Sequence, residues 1–184
     1  MQPDTIRLFL RPVTPSDADD LYRIYGDPAT NTFNPAGPHP DIQHSREVLS
    51  RSISHWESNG FGSWAISLQD NPERIIGFGG LSIRSFADIT INNLGYRFSP
   101  ESWGKGLATE FANYTVSYGF EEIKLAEISA VVRANHLASQ KVLINAGLRH
   151  IRHIRHIRDI YDVENAPASM LFTLSQDEWN QKRG

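Results

Sequence analysis

The chain has 184 residues, of which 40% are hydrophobic and 21% are charged, and its net charge is −3. This size and composition predict a single globular domain over residues 1–184, and the net negative charge argues against a general nucleic-acid binder. Because the sequence contains no cysteine, it excludes disulfides, thiolate metal sites and a cysteine nucleophile.

The sequence shows no signal for export or for membrane insertion. No run is long and apolar enough to span a membrane. The opening run MQPDTIRLFLRP lacks the apolar core of a signal peptide. We therefore expect a cytoplasmic protein that does not act at a membrane.

The first half of the chain predicts a strand, two helices and a hairpin. Ile6 to Arg11 alternates apolar with other residues, as a strand does, and Thr14 precedes a helix that ends before Pro28. The proline-rich segment 27–40 predicts a loop, in which Phe33 either lines a substrate entrance or packs on the core. The remaining elements are a helix at 41–58 closed by a left-handed cap at Gly60, and a hairpin of strands 62–68 and 75–83 with a turn at 70–73.

The second half of the chain alternates strands and helices. Its elements are a strand at 93–98, a helix at 105–121, a strand at 127–132, a helix capped by Asn135 and ended by Gly147, a strand from Leu148, a strand at 168–174 and a short terminal helix. The apolar faces of the two longer helices are Leu107, Phe111, Tyr114 and Tyr118, and Leu137, Val142, Leu143 and Ala146. This order predicts an α/β fold with one mixed sheet, antiparallel early and with helical crossovers in the middle.

The glycine-containing turn between strand 93–98 and helix 105–121 predicts an anion site. Gly104 and Gly106 let the backbone approach a ligand closely, and the first N–H groups of the following helix have no internal partner. The helix dipole also favours a phosphate there. The order Gly104-Lys105-Gly106 does not fit a Walker A loop, and Thr109 stands where the dinucleotide fingerprint has glycine or alanine.

Two segments together resemble a known family. FSPESWGKGLATE, followed by VVRANHLASQKVLINAGL, resembles the GNAT superfamily of N-acetyltransferases, and more narrowly the branch of the ribosomal-protein-alanine N-acetyltransferases (RimJ/RimL type). The runs IRLFLRPVTPSDADDLY, GSWAISL, IIGFGGL and MLFTLSQDEW are similar to other parts of that branch. The resemblance implies a mixed, mostly antiparallel sheet that is flanked by helices and splayed at its central strand.

The resemblance also implies an acetyl-CoA site. Strand residues Leu94, Tyr96 and Phe98 would run beside the pantetheine arm, and Asn135 would meet the same arm unless it only caps its helix. The pyrophosphate would be held by the backbone N–H groups of Trp103, Gly104, Lys105, Gly106, Leu107 and Ala108. The side chain of Lys105 either adds charge or is solvated, and the Thr109 hydroxyl either reaches a phosphate oxygen or bonds back into its own helix.

The same resemblance implies two catalytic positions. Ser139 would steady or protonate the departing thiolate, although it lies four residues after Asn135 where the branch has three. The tyrosine that many superfamily members use for this purpose is replaced by Leu143. A backbone N–H near Tyr96 or Phe98 would stabilise the oxyanion.

The general base is left open by the sequence. Asn93 stands where family members often carry a glutamate, and it cannot accept a proton. Asp88, His55, Glu57 and a relaying water molecule are alternatives that spacing does not separate. Weak base machinery favours an α-amine, whose reference pKa of about 7.7–8.0 leaves part of it neutral.

The repeat His-Ile-Arg at 150–158 invites a metal interpretation that the strand period disfavours. On a regular strand His150 and His156 share one face while His153 lies on the other, so we expect no metal. The default expectation is a solvent-facing basic strand, and an alternative is that Arg152, Arg155 and Arg158 help to attract an acidic substrate or partner.

The sequence therefore predicts a monomeric or homodimeric acetyl-CoA-dependent N-acetyltransferase that acts by direct transfer on a peptide N-terminus or a small primary amine. The alternatives are a catalytically weak acyl-CoA-binding sensor, a dinucleotide-binding oxidoreductase, and an antibiotic or polyamine N-acetyltransferase. The last of these would need carboxylates around the acceptor entrance.

Overall fold

The structure is a computed structural model that describes residues 5, 7–34, 36–86, 89–154 and 169–183. Within these ranges the strands are β1 (Leu8–Pro12), β2 (Ser63–Leu68), β3 (Asn71–Phe86), β4 (Ile89–Phe98), β5 (Glu127–Arg133), β6 (Arg149–Ile154) and β7 (Ser169–Ser175). The α-helices are α1 (Ala18–Tyr25), α2 (Ile42–Asn59), α3 (Leu107–Glu121), α4 (Leu137–Asn145) and α5 (Gln176–Arg183). Short 3₁₀ turns lie at Pro15–Asp17, Pro28–Asn31 and Pro100–Ser102.

The described strands form one sheet in the order β1-β2-β3-β4-β5-β7-β6. Neighbouring strands are antiparallel except for β4 and β5, which are parallel because α3 crosses over between them. The predicted α/β fold with a mixed, mostly antiparallel sheet flanked by helices is therefore confirmed.

The sheet opens between β4 and β5. Along β3, the strand β4 pairs continuously from Ile89 to Phe98. Along β5, the one described pairing is Asn93 with Ser129. Beyond that pair the two strands diverge, so the stretch from Leu94 to Phe98 presents a backbone edge to the gap rather than to a neighbouring strand.

Apolar side chains cover both faces of the sheet. On one face α3 packs through Leu107 and Phe111, and α4 and α5 lie on the same side. On the other face α1 and α2 pack through Leu21 and Leu49. Because side chains alternate along β4, neighbouring residues of this strand point into different layers.

Several local predictions are wrong in detail. The turn expected at 70–73 lies at 69–70, because β2 ends at Leu68 and β3 already begins at Asn71. Asn135 does not cap α4, since the residue at the cap position is His136 and no side-chain capping bond forms there. Leu137 is not on the buried face of α4 and is 67% exposed. Leu143, in the later part of this short helix, and Ala146, just after it, are buried in the core.

The strand β6 departs from regular alternation. Its register against β7 shifts between His150 and Arg152, which indicates a bulge. The extra residue brings the His150 and His153 rings onto the same side, with their centroids 5.0 Å apart. The prediction that they lie on opposite faces is therefore wrong. His156, Arg155 and Arg158 lie outside the described residues.

Candidate active site

The gap between β4 and β5 leads into a cavity of about 1570 Å³. Its walls come from the loop after α1, α2 between His44 and His55, the stretch Leu94–Phe98, the glycine turn, the end of β5 and α4 as far as Leu143. The predicted cofactor-binding residues that line it are Leu94, Tyr96, Phe98, Trp103, Gly104, Gly106, Leu107, Ala108, Thr109, Asn135 and Ser139. Lys105 is the predicted member that does not line the cavity.

The glycine turn adopts the left-handed backbone that its sequence requires. Gly104 and Gly106 have φ of 73° and 74°, and Gly106 occupies the cap position of α3. The helix begins at Leu107, so the N–H groups of its first turn have no intrahelical acceptor. Together with the helix dipole, this arrangement favours a phosphate at the turn.

Arg7 holds the outer side of the glycine turn. Its Nη1 donates to the carbonyl of Lys105 at 2.8 Å, and its Nε donates to Oε1 of Glu110 at 2.7 Å. Partial burial of Glu110 opposes ionisation, but hydrogen bonds from Thr5 and Arg7 outweigh it and lower the pKa of this carboxyl. The Lys105 carbonyl thus has a partner of its own, and the Lys105 side chain is exposed.

Two side chains border the turn where it meets the cavity. Trp103 is 51% exposed and donates its indole N–H to the carbonyl of Phe98 at 2.9 Å, which fixes the ring beside the end of β4. Within the described part of the chain, the Thr109 hydroxyl makes no hydrogen bond back into its helix, unlike that of Thr115. The Thr109 hydroxyl is therefore available to a ligand in the cavity.

Tyr96 and Ser139 meet in the middle of the cavity. The phenol oxygen of Tyr96 lies 3.0 Å from Oγ of Ser139, and burial raises the pKa of Tyr96 while the bond to Ser139 opposes that shift. Ser139 is the third residue of α4, and the helix begins one residue later than predicted. The sequence assigned Tyr96 a role through its backbone and did not anticipate that its phenol would meet Ser139.

Among the described candidates for the general base, His55 lines the cavity, but backbone groups occupy both of its ring nitrogens. His55 uses both ring nitrogens on the backbone: Nδ1 lies 2.8 Å from the carbonyl of Phe61, and Nε2 accepts from the N–H of Ile83 at 2.9 Å. Asn93 and Glu57 do not line the cavity. Asp88 lies outside the described residues.

The face of α1 and α2 closes the other end of the cavity with residues that the sequence did not single out. Arg97 donates to Oδ1 of Asn31 at 3.1 Å and stacks on the ring of Tyr25 at 4.3 Å. Nδ1 of His39 lies 2.7 Å from Oγ of the fully buried Ser45. Burial, followed by the charges of His44, Arg97 and Arg51, lowers the pKa of His39 to about 4.

Phe33 lies at the edge of this end of the cavity. Its ring is stacked on His136 with the centroids 4.0 Å apart, and it remains 37% exposed. Burial and the charge of Arg97 lower the pKa of His136. The stack joins the loop after α1 to the start of α4, so Phe33 borders the entrance and does not pack into the core.

The described lining of the cavity is basic. It includes the arginines Arg51, Arg84, Arg97 and Arg133 and the histidines His39, His44, His55 and His136, and it includes no aspartate or glutamate. No group of three or more potential metal ligands occurs among the described residues. None of the helices in the described ranges is long and apolar enough to cross a membrane.

Comparison with known proteins agrees with this geometry. Residues 7–149 match the family model described as an acetyltransferase (GNAT) domain. The uncharacterised N-acetyltransferase YoaA of Bacillus subtilis is 27% identical over 148 residues, which cover 79% of this chain and 81% of that protein.

Solved structures share the fold at low sequence identity. A spermidine N-acetyltransferase from Vibrio cholerae in complex with CoA and spermine has a TM-score of 0.74 at 16% identity, covering 94% of this chain and 98% of the other. A ribosomal-protein-S5-alanine acetyltransferase from Vibrio fischeri has a TM-score of 0.72 at 18% identity, covering 97% and 98%. The family match over most of the chain and the shared fold lead to one conclusion: this chain belongs to the GNAT family of acetyltransferases.

Proposed function

We propose that this protein transfers the acetyl group of acetyl-CoA to a primary amine by direct attack, without an acyl-enzyme intermediate. The observation that carries the proposal is a cavity that joins an anion-binding helix start, an unpaired strand edge and a part-buried pair of hydroxyl groups. GNAT acetyltransferases use acetyl-CoA, and each of these three features suits one part of that molecule.

The residues of this chain fit the coenzyme in a defined direction. The N–H groups at the start of α3, from Leu107 onward, would hold the pyrophosphate. The edge of β4 that faces the gap would pair with the pantetheine amides, as a sheet edge pairs with an added strand. Asn135 lines the cavity and is exposed, which leaves its amide free for the same arm.

Acetyl-CoA supplies an activated thioester when it is bound. A backbone N–H of β4 near Tyr96 or Phe98 would then donate to the carbonyl oxygen as negative charge develops on it. The Tyr96 phenol keeps its proton at neutral pH, because burial raises its pKa, and it can donate to the leaving sulfur. Ser139, at 3.0 Å, orients this phenol and completes the chain of donors.

The described bases that the sequence suggested are not available to take the proton of the amine. Both nitrogens of His55 are bound to backbone groups, so this ring does not serve as the base. Loss of the first proton to water suits an α-amine better than a lysine side chain, whose reference pKa is about 10.4. The proposed acceptor is therefore a peptide N-terminus or a small α-amine, as in the ribosomal-protein-alanine branch that the sequence resembles.

The test is a thiol-release assay with acetyl-CoA against peptides of differing N-termini, small amino compounds, polyamines and aminoglycosides, combined with calorimetric titration of acetyl-CoA and of NADH. We expect acetyl-CoA to bind and thiol release to require an amine. Tight acetyl-CoA binding with no turnover on any amine would indicate a sensor instead. Binding of NADH in place of acetyl-CoA would contradict the assignment of the cavity.

A further inference from the structure

The end of the cavity away from the glycine turn carries arginine side chains, and no aspartate or glutamate is found among its described lining residues. The whole chain has more acidic than basic residues, with 21 aspartates and glutamates against 18 lysines and arginines. The described lining at this end nevertheless contains Arg97 and Arg51 and no carboxylate. Positive charge without a facing carboxylate favours an anionic ligand.

The position of Arg97 separates this charge from the coenzyme phosphates. Tyr96 points to the layer of α3, where its ring lies 6.1 Å from that of Phe111. Arg97 is the next residue and points to the opposite layer, where it stacks on Tyr25 at 4.3 Å. The glycine turn leads into α3, and the guanidinium therefore lies on the other side of the sheet from the proposed pyrophosphate site.

Arg97 is held in place by neutral groups. It is half-buried, its described partners are the amide oxygen of Asn31 and the ring of Tyr25, and it forms no ion pair with a described carboxylate. A guanidinium removed from water in this way is stabilised when an anion completes its hydrogen bonds. The fork of donors also suits a carboxylate or a phosphate better than a neutral group.

A second arginine adds to the field at the same place. Arg51 is exposed on α2 and lines the cavity. Arg97, His39, His44 and Arg51 all line the cavity, and in addition to burial the charges of His44, Arg97 and Arg51 lower the pKa of His39. His39 itself is neutral at physiological pH because burial is the largest cause that lowers its pKa. The lasting positive charge at this end therefore comes from the two arginines.

We propose that the acceptor is a primary amine that also carries a carboxylate or a phosphate, and that Arg97 and Arg51 bind this anionic group. The inference rests on the acetyl transfer proposed above. The anionic group orients the acceptor while its amine points toward Tyr96 and Ser139. The same charges repel a polyamine, so the acceptor class differs from that of the spermidine acetyltransferase whose fold this chain shares.

The test compares acceptors with and without an anionic group. The peptide pair is Ala-Glu-amide against Ala-Gln-amide, with Ala-Lys-amide as the cationic reference, and the small-molecule pair is phosphoethanolamine against ethanolamine. We expect kcat/KM of the anionic member to exceed that of its neutral partner by about tenfold or more. A preference within the peptide pair identifies an acidic peptide terminus as the source, and one confined to the small-molecule pair identifies a free amino compound.

Variants assign the preference to the two arginines. In Arg97→Gln, and separately in Arg51→Gln, we expect the ratio of the two kcat/KM values to fall toward one through a rise in KM for the anionic acceptor. Calorimetric titration of Ala-Glu-amide or phosphoethanolamine into the enzyme–CoA complex should show that the variant binds this acceptor about tenfold more weakly. The Kd for CoA should stay unchanged. Arg46→Gln is the matched control, because Arg46 is exposed on the same helix as Arg51 and does not line the cavity.

Failure of this inference differs from failure of the proposed function. Turnover that is equal for the members of both pairs, or fastest with Ala-Lys-amide, would overturn the anionic acceptor and leave the acetyl transfer intact. An enzyme that binds acetyl-CoA and acetylates no amine would overturn both. Since Arg51 is exposed, its variant remains informative even if Arg97→Gln lowers the folding stability.

Discussion

Two glycines with the same backbone conformation allow the pyrophosphate site to be tested separately from folding. Gly106 begins α3 with φ of 74°, and Gly60 ends α2 with φ of 75°. A Cβ added at Gly60 would meet no atom within 4 Å, and one added at Gly106 would meet Nη2 of Arg7 at 3.5 Å, an ordinary contact. Only Gly106 lines the cavity. The substitutions Gly106→Val and Gly60→Val therefore share their backbone cost and differ in their relation to the ligand.

The expected effect on stability is equal for the two variants. A non-glycine residue in the left-handed region costs about 1–2 kcal/mol. For a chain of 184 residues this corresponds to a fall in Tm of about 2–8 °C. Urea unfolding at equilibrium should show the two variants destabilised by similar amounts, with the native fold retained in both.

The expected effect on the coenzyme is confined to one variant. Turning the backbone at Gly106 redirects the N–H groups at the start of α3, and a hydrogen bond to a charged group contributes about 1.5–3 kcal/mol. Calorimetric titration of acetyl-CoA should therefore show affinity about 10- to 100-fold weaker in Gly106→Val and unchanged in Gly60→Val. Equal affinity in the two variants would refute the assignment of the glycine turn as the pyrophosphate site.

Two further predictions concern single side chains in the cavity. Tyr96→Phe should lower kcat about 100-fold and change the unfolding free energy by less than about 1.5 kcal/mol. Tyr118 lies outside the cavity, so the control Tyr118→Phe should leave kcat unchanged. Full activity in Tyr96→Phe would show that the phenol is not the acid. His39 titrates at about 4 in the folded state and about 6.5 when unfolded, so it contributes a stability that is lost as pH falls through this window. In His39→Asn, urea unfolding should show a smaller loss between about pH 7 and about pH 5, by about 1 kcal/mol after discounting for screening of a half-buried ring, and an unchanged pH dependence would contradict the lowered pKa.

Sequence patterns predicted the elements whose causes are local. Alternation of apolar residues identified the strands, and helical spacing identified α2, α3 and the apolar core of α4. Gly60 and Gly147 adopt left-handed conformations after the ends of their helices, as their positions in the sequence indicated. These features depend on residues a few positions away along the chain, so the local sequence is enough to predict them.

The order of motifs also predicted which parts of the chain meet. The glycine turn and the helix that carries Ser139 were assigned to one cofactor site by resemblance, and the structure lines one cavity with both. The resemblance also implied a splay at the central strand, and in the structure β4 and β5 pair at Asn93 and separate beyond it. The assignment came from the resemblance, and the fold agrees with it because a strand, a crossover helix and a parallel strand have few ways to pack.

Tertiary structure alone decided the contacts between distant side chains. Tyr96 and Ser139 are 43 positions apart, and strand alternation gives the face of Tyr96 but not the depth at which its hydroxyl ends. The bulge in β6 reversed the expected placement of His153, because one extra residue inverts every later side chain. No role was predicted for Arg97, because the sequence shows it only as one charged residue on a strand. Its position in the cavity depends on contacts with Tyr25 and Asn31, which are far away in sequence. The sequence by itself thus determined the fold and indicated, through resemblance, the proposed site of the coenzyme, whereas the packing of remote elements determined which charges and hydroxyl groups line the cavity.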